Sequence, residues 1–290
     1  MIEVNKNILK EIYKKRPKES KKYDFGLLIV IGGSDFYTGS PALTAVAAFR
    51  AGVDMVNVLA PKRAADIVAS FSPNLAAYPL EGKWLDKNDL ATILGITESA
   101  EAVSEGRAAI AIGNGLGRSE ETQATVLDYL EKISIPAVID ADAIHAISKK
   151  PQVVSGRNFL LTPHSYEFFI LTKKDVSKVS LEERIKTVQE AAAKLNTTIL
   201  LKGPIDIISD GKNIALNKTG CALMTKGGMG DTLAGIAGAF LARGANAFLA
   251  AQAAAYINGT AGEMAGERLG ESMLATDLIA EIKHILPRTI

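Results

Sequence analysis

Short, nearly unbroken apolar runs recur along this chain with helical segments between them, and that alternation limits the fold more than any other feature. Phe25–Ile31 (FGLLIVI), Met55–Leu59, Ala108–Ile112, Ala137–Asp140, Asn158–Leu161 and Thr197–Leu201 are rich in Val, Ile, Leu and Ala. A strand that is apolar on both faces must be covered on both, which is the condition of a parallel sheet packed between helices. Helices are predicted at Pro41–Ala51, Lys62–Ser70, Glu120–Lys132 and Leu181–Leu195, so the expected class is α/β with right-handed crossovers. After Lys202 the pattern changes. Ile205–Ser209 and Ile214–Asn217 flank Asp210-Gly211, a hairpin signal, and helices follow at Asp231–Arg243, Ala247–Arg268 and Thr276–Leu286. No break in composition demands a second domain. The chain reads as a basic helical segment over residues 1–22 and a single domain over residues 23–290.

With 290 residues, 48% of them hydrophobic and 22% charged, the chain can bury a large core without covalent staples. A formal net charge of +1 gives no general pull toward nucleic acid or an anionic membrane, and 6% aromatics are few for a base-stacking platform. Met1–Lys22 holds eight Lys and Arg against three Glu and reads as a solvated helix and linker. Cys221 is the sole cysteine, which excludes an intrachain disulfide and suits a reducing, cytoplasmic setting; its flanking turn residues favour a packed thiol over a nucleophile. The N-terminus lacks the apolar core of a signal peptide. The low-charge stretch Gly244–Thr260 is interrupted by Asn246, Gln252, Asn258 and Gly259, so it reads as a buried helix rather than a membrane span.

The chemistry concentrates in glycine-rich turns. In Asn217–Phe240 (NKTGCALMTKGGMGDTLAGIAGAF), Gly227, Gly228 and Gly230 precede Asp231 and an Ala/Gly-rich helix. Glycines let the backbone approach a ligand, and the free N–H groups of a helix start favour an anion. Asp231 stands where a carboxylate could take a proton from a hydroxyl; Asp is also a favoured N-cap, and spacing alone leaves both readings open. The segment is neither a Walker loop nor the usual Rossmann fingerprint. Gly113–Gly117 (GNGLG) and Gly32-Gly33-Ser34 follow strands, where open α/β sheets bind ligands; Ser40 and Pro41 make a good helix start. In LTPHSYE, His164 could donate to a phosphate or hydroxyl and Glu167 could hold Mg²⁺ through water; the other reading is a surface His and a first-turn Glu. Asp140 and Asp142 suit a metal, a ribose or a plain turn, and Lys202 ends a strand where it could meet a phosphate. His145 and His284 are assigned no role.

Taken in order, GGS…TGSPALTAVAAFRAGVDMV, GNGLGRS, VIDADAI, LTPHSYEF, LLKGP and NKTG…GGMGDTLAGIAGAFLARG resemble the ribokinase-like ADP/ATP-dependent NAD(P)H-hydrate dehydratases from about Lys22 onward. GGxGD alone is shared with other ribokinase-like kinases, whereas TPHxxE together with GNGLG and TGSPA is far more specific. The resemblance implies a three-layer α/β/α fold with a mostly parallel central sheet. It also implies nicotinamide nucleotide repair: the ring hydroxyl of hydrated NADH or NADPH (NADHX, NADPHX) is phosphorylated by ADP or ATP with Mg²⁺, and phosphate then leaves. Asp231 would be the base, with backbone N–H groups of Gly228, Met229 and Gly230 on the transferred phosphoryl. Ala42, Gly115 or Gly117, and His164 would contact the hydrated dinucleotide. Lys202, Gly203, Pro204, Ile205, Asp206 and Gly230 would line the adenine nucleotide, and Glu167 and Asp140 would reach Mg²⁺ through water. In many relatives an epimerase domain precedes this unit; here the expectation is the dehydratase unit alone, paired in function with a separate epimerase. Small residues along Asp231–Gly262 suggest close helix contacts in the core or between subunits, hence a homo-oligomer, with a tetramer as one candidate. Two departures stand out. Many relatives read TGxPGMATGGSGD where this chain has TGCALMTKGGMGD, so Lys226 and Met229 replace small residues and the stretch around Ala222 is altered. The other readings are a ribokinase-like small-molecule kinase acting on a vitamin precursor or sugar alcohol, and a nucleotide-binding module without turnover.

Overall fold

The computed structural model of the chain describes residues 1–287, so the last three residues of the expected domain lie outside the described residues. The strands are β1 (Ile2–Glu3), β2 (Leu27–Ile31), β3 (Met55–Pro61), β4 (Ala76–Leu80), β5 (Ala108–Ile112), β6 (Ala137–Ile139), β7 (Phe159–Leu161), β8 (Thr198–Leu201), β9 (Asp206–Ser209) and β10 (Ile214–Asn217). They form one sheet in the order β1-β10-β9-β8-β7-β6-β5-β2-β3-β4. Only β9 runs antiparallel to its neighbours, pairing β8 on one side and β10 on the other; the remaining pairs are parallel. The Asp210-Gly211 signal does mark a hairpin, with Ile214 opposite Ser209.

The helices are α1 (Leu9–Ile12), α2 (Ser40–Arg50), α3 (Lys62–Phe71), α4 (Leu90–Val103), α5 (Glu120–Lys132), α6 (Ala141–Ile147), α7 (Ser165–Thr172), α8 (Leu181–Leu195), α9 (Met229–Ala242), α10 (Ala247–Leu269) and α11 (Ala275–Ile285). Successive strand residues point to opposite faces. Leu28, Val30, Ala109, Ala111 and Val138 pack into one buried cluster with α2, α9, α10 and α11. Leu27, Ile29, Ile31, Ile110 and Ile112 pack into the other with α4, α5, α6 and α8. This is the three-layer arrangement that the apolar runs predict.

Two features of the topology position the site. First, successive strands run outward from β2 to β3 and β4, then from β5 to β6, β7 and β8 on the other side. The β2 and β5 turns therefore part at a switch point beyond the strands' C-terminal ends, where the β5 turn reaches the start of α9 through Asn114. Second, α9 is bare enough of side chains to lie close to its neighbours. A methyl on Gly235 would collide with the Thr44 carbonyl of α2, and one on Gly238 would meet Leu28 Cδ1 of β2 at 2.7 Å. The small residues of α9 thus serve core contacts.

The N-terminal segment differs from a solvated helix and linker. Ile2 and Glu3 pair with β10, and Val4, Leu9 and Ile12 are buried. Elements that the apolar pattern does not reveal are β1, β4, α4, α6 and α7. β4 is an exposed edge strand carrying Pro79, which an edge tolerates. The other missed helices are short or, in α4, interrupted by Gly95 with little polar contrast between faces. No helix of the described residues is long and apolar enough to cross a membrane.

Candidate active site

The loop ahead of α9 turns through Gly228, which holds φ 91° as the helix N-cap; a Cβ there would also stand 2.7 Å from Leu43 and 2.8 Å from Ala275. Glycine is the residue that meets both demands. Asp231 falls in the first turn of α9, but its side chain does not cap the helix. It turns across to Asn114 in the GNGLG turn, whose Nδ2 donates to Asp231 Oδ1 at 2.6 Å, and the Ser40 hydroxyl of α2 bonds it as well. The N-cap reading of Asp231 is thereby excluded. The helix start itself is held by α10: Thr232 Oγ1 donates to Asn258 Oδ1 at 2.7 Å, and Asn258 Nδ2 donates to the Met229 carbonyl.

Around this helix start lies a cavity of about 820 Å³. Its charged lining comes from separate segments of the chain, brought together at the C-terminal edge of the sheet. Asp140, directly after β6, accepts from Lys202 Nζ at 2.9 Å and Thr162 Oγ1 at 2.8 Å on Oδ1, and from Asn114 Nδ2 at 3.1 Å on Oδ2. The residue after it, Ala141, holds φ 48° in the left-handed region. Lys202 Nζ also lies 3.9 Å from Glu167 Oε2. A methyl on Gly230 would come 3.4 Å from that ammonium, so the first turn of α9 sits directly over the lysine.

Burial sets the protonation states. It pushes Asp231 up to about 6, helped by the neighbouring Asp140 charge and opposed by the bonds from Asn114 and Ser40. Burial raises Glu167 too, against the pull of Lys202. For Lys202, burial draws the ammonium's pKa down, but Asp140, Glu167 and Asp231 outweigh it and keep it charged. Asp206 is pushed by burial to about 6 while accepting from Asn217 Nδ2 at 3.0 Å and from the Gly203 N–H at 3.0 Å. His164 and Glu167 form a reciprocal cap on α7. His164 Nδ1 accepts from the N–H groups of Tyr166 and Glu167, and the His164 N–H donates to Glu167 Oε2 at 2.9 Å. The ring is then neutral with its proton on Nε2, in line with a pKa lowered by burial and by Lys202.

Of the residues expected at the site, Asp140, His164, Glu167, Lys202, Gly203, Pro204, Asp206, Gly228, Met229, Gly230 and Asp231 line this cavity. Ala42, Gly115, Gly117 and Ile205 do not. Ile205 packs toward the core. Gly115 stands beside Tyr37 and Ser40, on the α2 side of Asp231. Gly117 has its N–H taken by Asp142 Oδ2 at 2.8 Å. Lys226 lines the cavity but extends to the carbonyls of Glu271 and Met273 in the segment between α10 and α11. Cys221 also lines it, with Sγ 3.7 Å from the Gly262 carbonyl. Sequence reasoning passed over Asn114, Thr162, Asn217 and Asn258, all buried and all holding a charged or helix-end group in place. Among the described residues, no three His, Cys, Asp or Glu side chains gather to hold a metal ion on their own.

The mostly parallel sheet between two helical layers is the fold of ribokinase-like proteins: a ribokinase-like superfamily protein of Enterococcus faecalis superposes with a TM-score of 0.80 at 24% identity, over 99% of this chain and 95% of that one. Within that class, residues 28–284 match the family model described as NAD(P)H-hydrate dehydratase, and the chain belongs to this family. The bifunctional NAD(P)H-hydrate repair enzyme Nnr of Pyrobaculum aerophilum is 40% identical over 94% of this chain, and the chain spans about half of that protein's length (53%). The ADP-dependent (S)-NAD(P)H-hydrate dehydratase of Cenarchaeum symbiosum is 35% identical over 93% of this chain and 92% of its own length. The ADP/ATP-dependent NAD(P)H-hydrate dehydratase of Bacillus subtilis, crystallised with ATP and Mg²⁺, superposes with a TM-score of 0.78 at 24% identity, over 100% of this chain and 99% of that one.

Proposed function

We propose that this protein dehydrates (6S)-NADHX and NADPHX to NADH and NADPH, using ADP or ATP as phosphoryl donor and Asp231 as the base. The observation that carries the reading is Asp231 itself: a carboxylate raised to about 6, freed from capping, on the wall of a cavity roofed by the N–H groups of a helix start. Such a group is ionised at neutral pH yet close enough to it to accept a proton readily.

The ring hydroxyl loses its proton to Asp231 as its oxygen attacks the donor's terminal phosphorus. The bond from that phosphorus to the bridging oxygen breaks, and the nucleotide leaves one phosphate shorter. The backbone N–H groups of Gly228, Met229 and Gly230 and the Lys202 ammonium face the charge that develops on the phosphoryl oxygens. The ring carbon–oxygen bond then breaks, phosphate departs with its electron pair, and water takes the proton from the adjacent carbon, whose C–H pair restores the double bond. Phosphate leaves where hydroxide would not. Lys202, Gly203, Pro204 and Asp206 line the nucleotide, and His164 Nε2–H, 3.3 Å from Glu167 Oε1, is the donor offered to the dinucleotide. The carboxylates fit a metal ion held through water, because Asp140 already accepts on both oxygens. Glu167 and Asp140 would hold Mg²⁺ in this way, and the ion would neutralise the polyphosphate. Pairing with an epimerase activity and assembly of several copies belong to the same proposal.

Hydrated NADH incubated with ADP or ATP and Mg²⁺ should regain the absorbance of reduced nicotinamide and release inorganic phosphate in equal amount. Accumulation of a stable phosphorylated product would instead make this chain a kinase.

A further inference from the structure

The two carboxylates nearest the proposed chemistry meet at a residue that no motif reading selects. Asn114 Nδ2 donates one N–H to Asp140 Oδ2 at 3.1 Å and the other to Asp231 Oδ1 at 2.6 Å. The side chain is 1% exposed, and its carbonyl oxygen Oδ1 is buried with no hydrogen-bond partner. Turning the amide over would set that oxygen against two carboxylates and lose both bonds, so the charges dictate the orientation. An unmatched buried acceptor is unfavourable, and here it accompanies two donors aimed at acids. The backbone is fixed as well: the Asn114 carbonyl accepts from the Gly33 N–H at 2.8 Å, and Gly113 and Gly115 on either side hold φ 128° and 73°. Lys202 cannot take over this task, because its ammonium is engaged with Asp140 Oδ1 and Glu167 on the far side.

We propose that Asn114 is the positioning residue of the reaction: it pins Oδ1 of Asp231 beside Asp140, against their mutual repulsion, so that the substrate hydroxyl delivers its proton to Oδ2. This rests on Asp231 being the base. Remove the amide and the two acids repel each other with only the Ser40 hydroxyl left on Asp231; the carboxylate that can rotate is Asp231, on the first turn of its helix. Asn114 does not line the cavity and acts through the carboxylates it holds, Asp231 above all.

The test uses Asn114→Ala and Asn114→Asp in the full chain. Asn114→Ala should lower kcat about 10²-fold, the scale of a misplaced reacting group, while ADP affinity by calorimetry stays near that of the parent. Asn114→Asp keeps the shape but exchanges two donors for a third carboxylate. It should be the more damaging of the two in kcat, whereas a residue needed only for packing would make it the milder. A kcat near the parent value in either variant, or the reverse order, overturns the proposal. A crystal structure of Asn114→Ala reads positioning directly, whether or not the parent turns over hydrated NADH. Asp231 rotated away from Asp140 supports it; Asp231 unmoved overturns it. Failure of the parent to act on hydrated NADH, with Asp231 displaced in the variant, would instead remove the functional reading and leave the positioning role intact.

Discussion

Asp231 carries its charge at a cost that can be measured in two ways. A base with a pKa of about 6 is protonated as the pH falls, so turnover should drop about tenfold per pH unit below 6 and level off above 7. A pH–rate profile without an acidic limb near 6 would contradict this. The same shift bears on stability. The folded-state pKa is raised, so the native chain binds a proton more tightly than the unfolded chain, and ionising Asp231 between about pH 4 and 6 lowers stability. Asp231→Asn removes that penalty. It should be more stable than the parent at pH 7 by about 1–3 kcal/mol, with the difference vanishing as the pH falls to 4. Thermal melts across pH read this out, and a variant less stable at pH 7 would show that the carboxylate is a structural asset. The acidic residue and its glycine hinge were legible in the sequence because GGMGD is contiguous. Asn114 was not, because it acts across 117 positions, through a side chain type that reads as a turn former.

At the scale of elements, the hinge before α9 separates two adjacent glycines that look equivalent in sequence. A methyl on Gly227 would meet nothing within 4 Å, whereas Gly228 combines φ 91° with contacts to Leu43 and Ala275. Gly227→Ala should therefore leave stability within about 0.5 kcal/mol, and Gly228→Ala should cost about 1–3 kcal/mol and displace the phosphoryl-facing N–H groups. Denaturant titrations distinguish the two, and equal effects would mean that the loop relaxes freely. Most strands and helices could be read from the apolar runs, since a strand buried on both faces leaves no polar position to hide it. β4 and α4 escaped because edge exposure and low facial contrast erase the periodic signal. The capping box of His164 and Glu167 was within reach of the residue pattern. It gives those two residues a structural duty at α7 in addition to any contact with ligand.

For the whole molecule, the fold joins the N-terminal segment to the helix that carries the site. Arg243, just past the end of α9, donates to the carbonyls of Gly52 and Ile12 and lies over the rings of Tyr13 and Phe25. Arg243→Met should destabilise the chain by about 1–3 kcal/mol through three elements at once, and limited proteolysis should then cut first within residues 1–22. An unchanged melt and cleavage pattern would show the segment to be independent. Strand order, which sets the β2 and β5 turns side by side at the switch point, has no local signature in sequence. That is why the GNGLG turn could be flagged as a ligand turn but its partner Asp231 could not be assigned to it. The reading as a whole depends on Asp231 taking a proton from a hydroxyl that a nucleotide then phosphorylates. The most direct measurement follows the absorbance of reduced nicotinamide in hydrated NADH with Mg²⁺ and either ADP or ATP, for the parent and Asp231→Asn, beside calorimetric ADP titration of both. The account predicts recovery by the parent, a loss of about 10²–10⁴-fold in the variant, and retained ADP binding in each; a variant as active as its parent, or a parent inert with both donors, would contradict it.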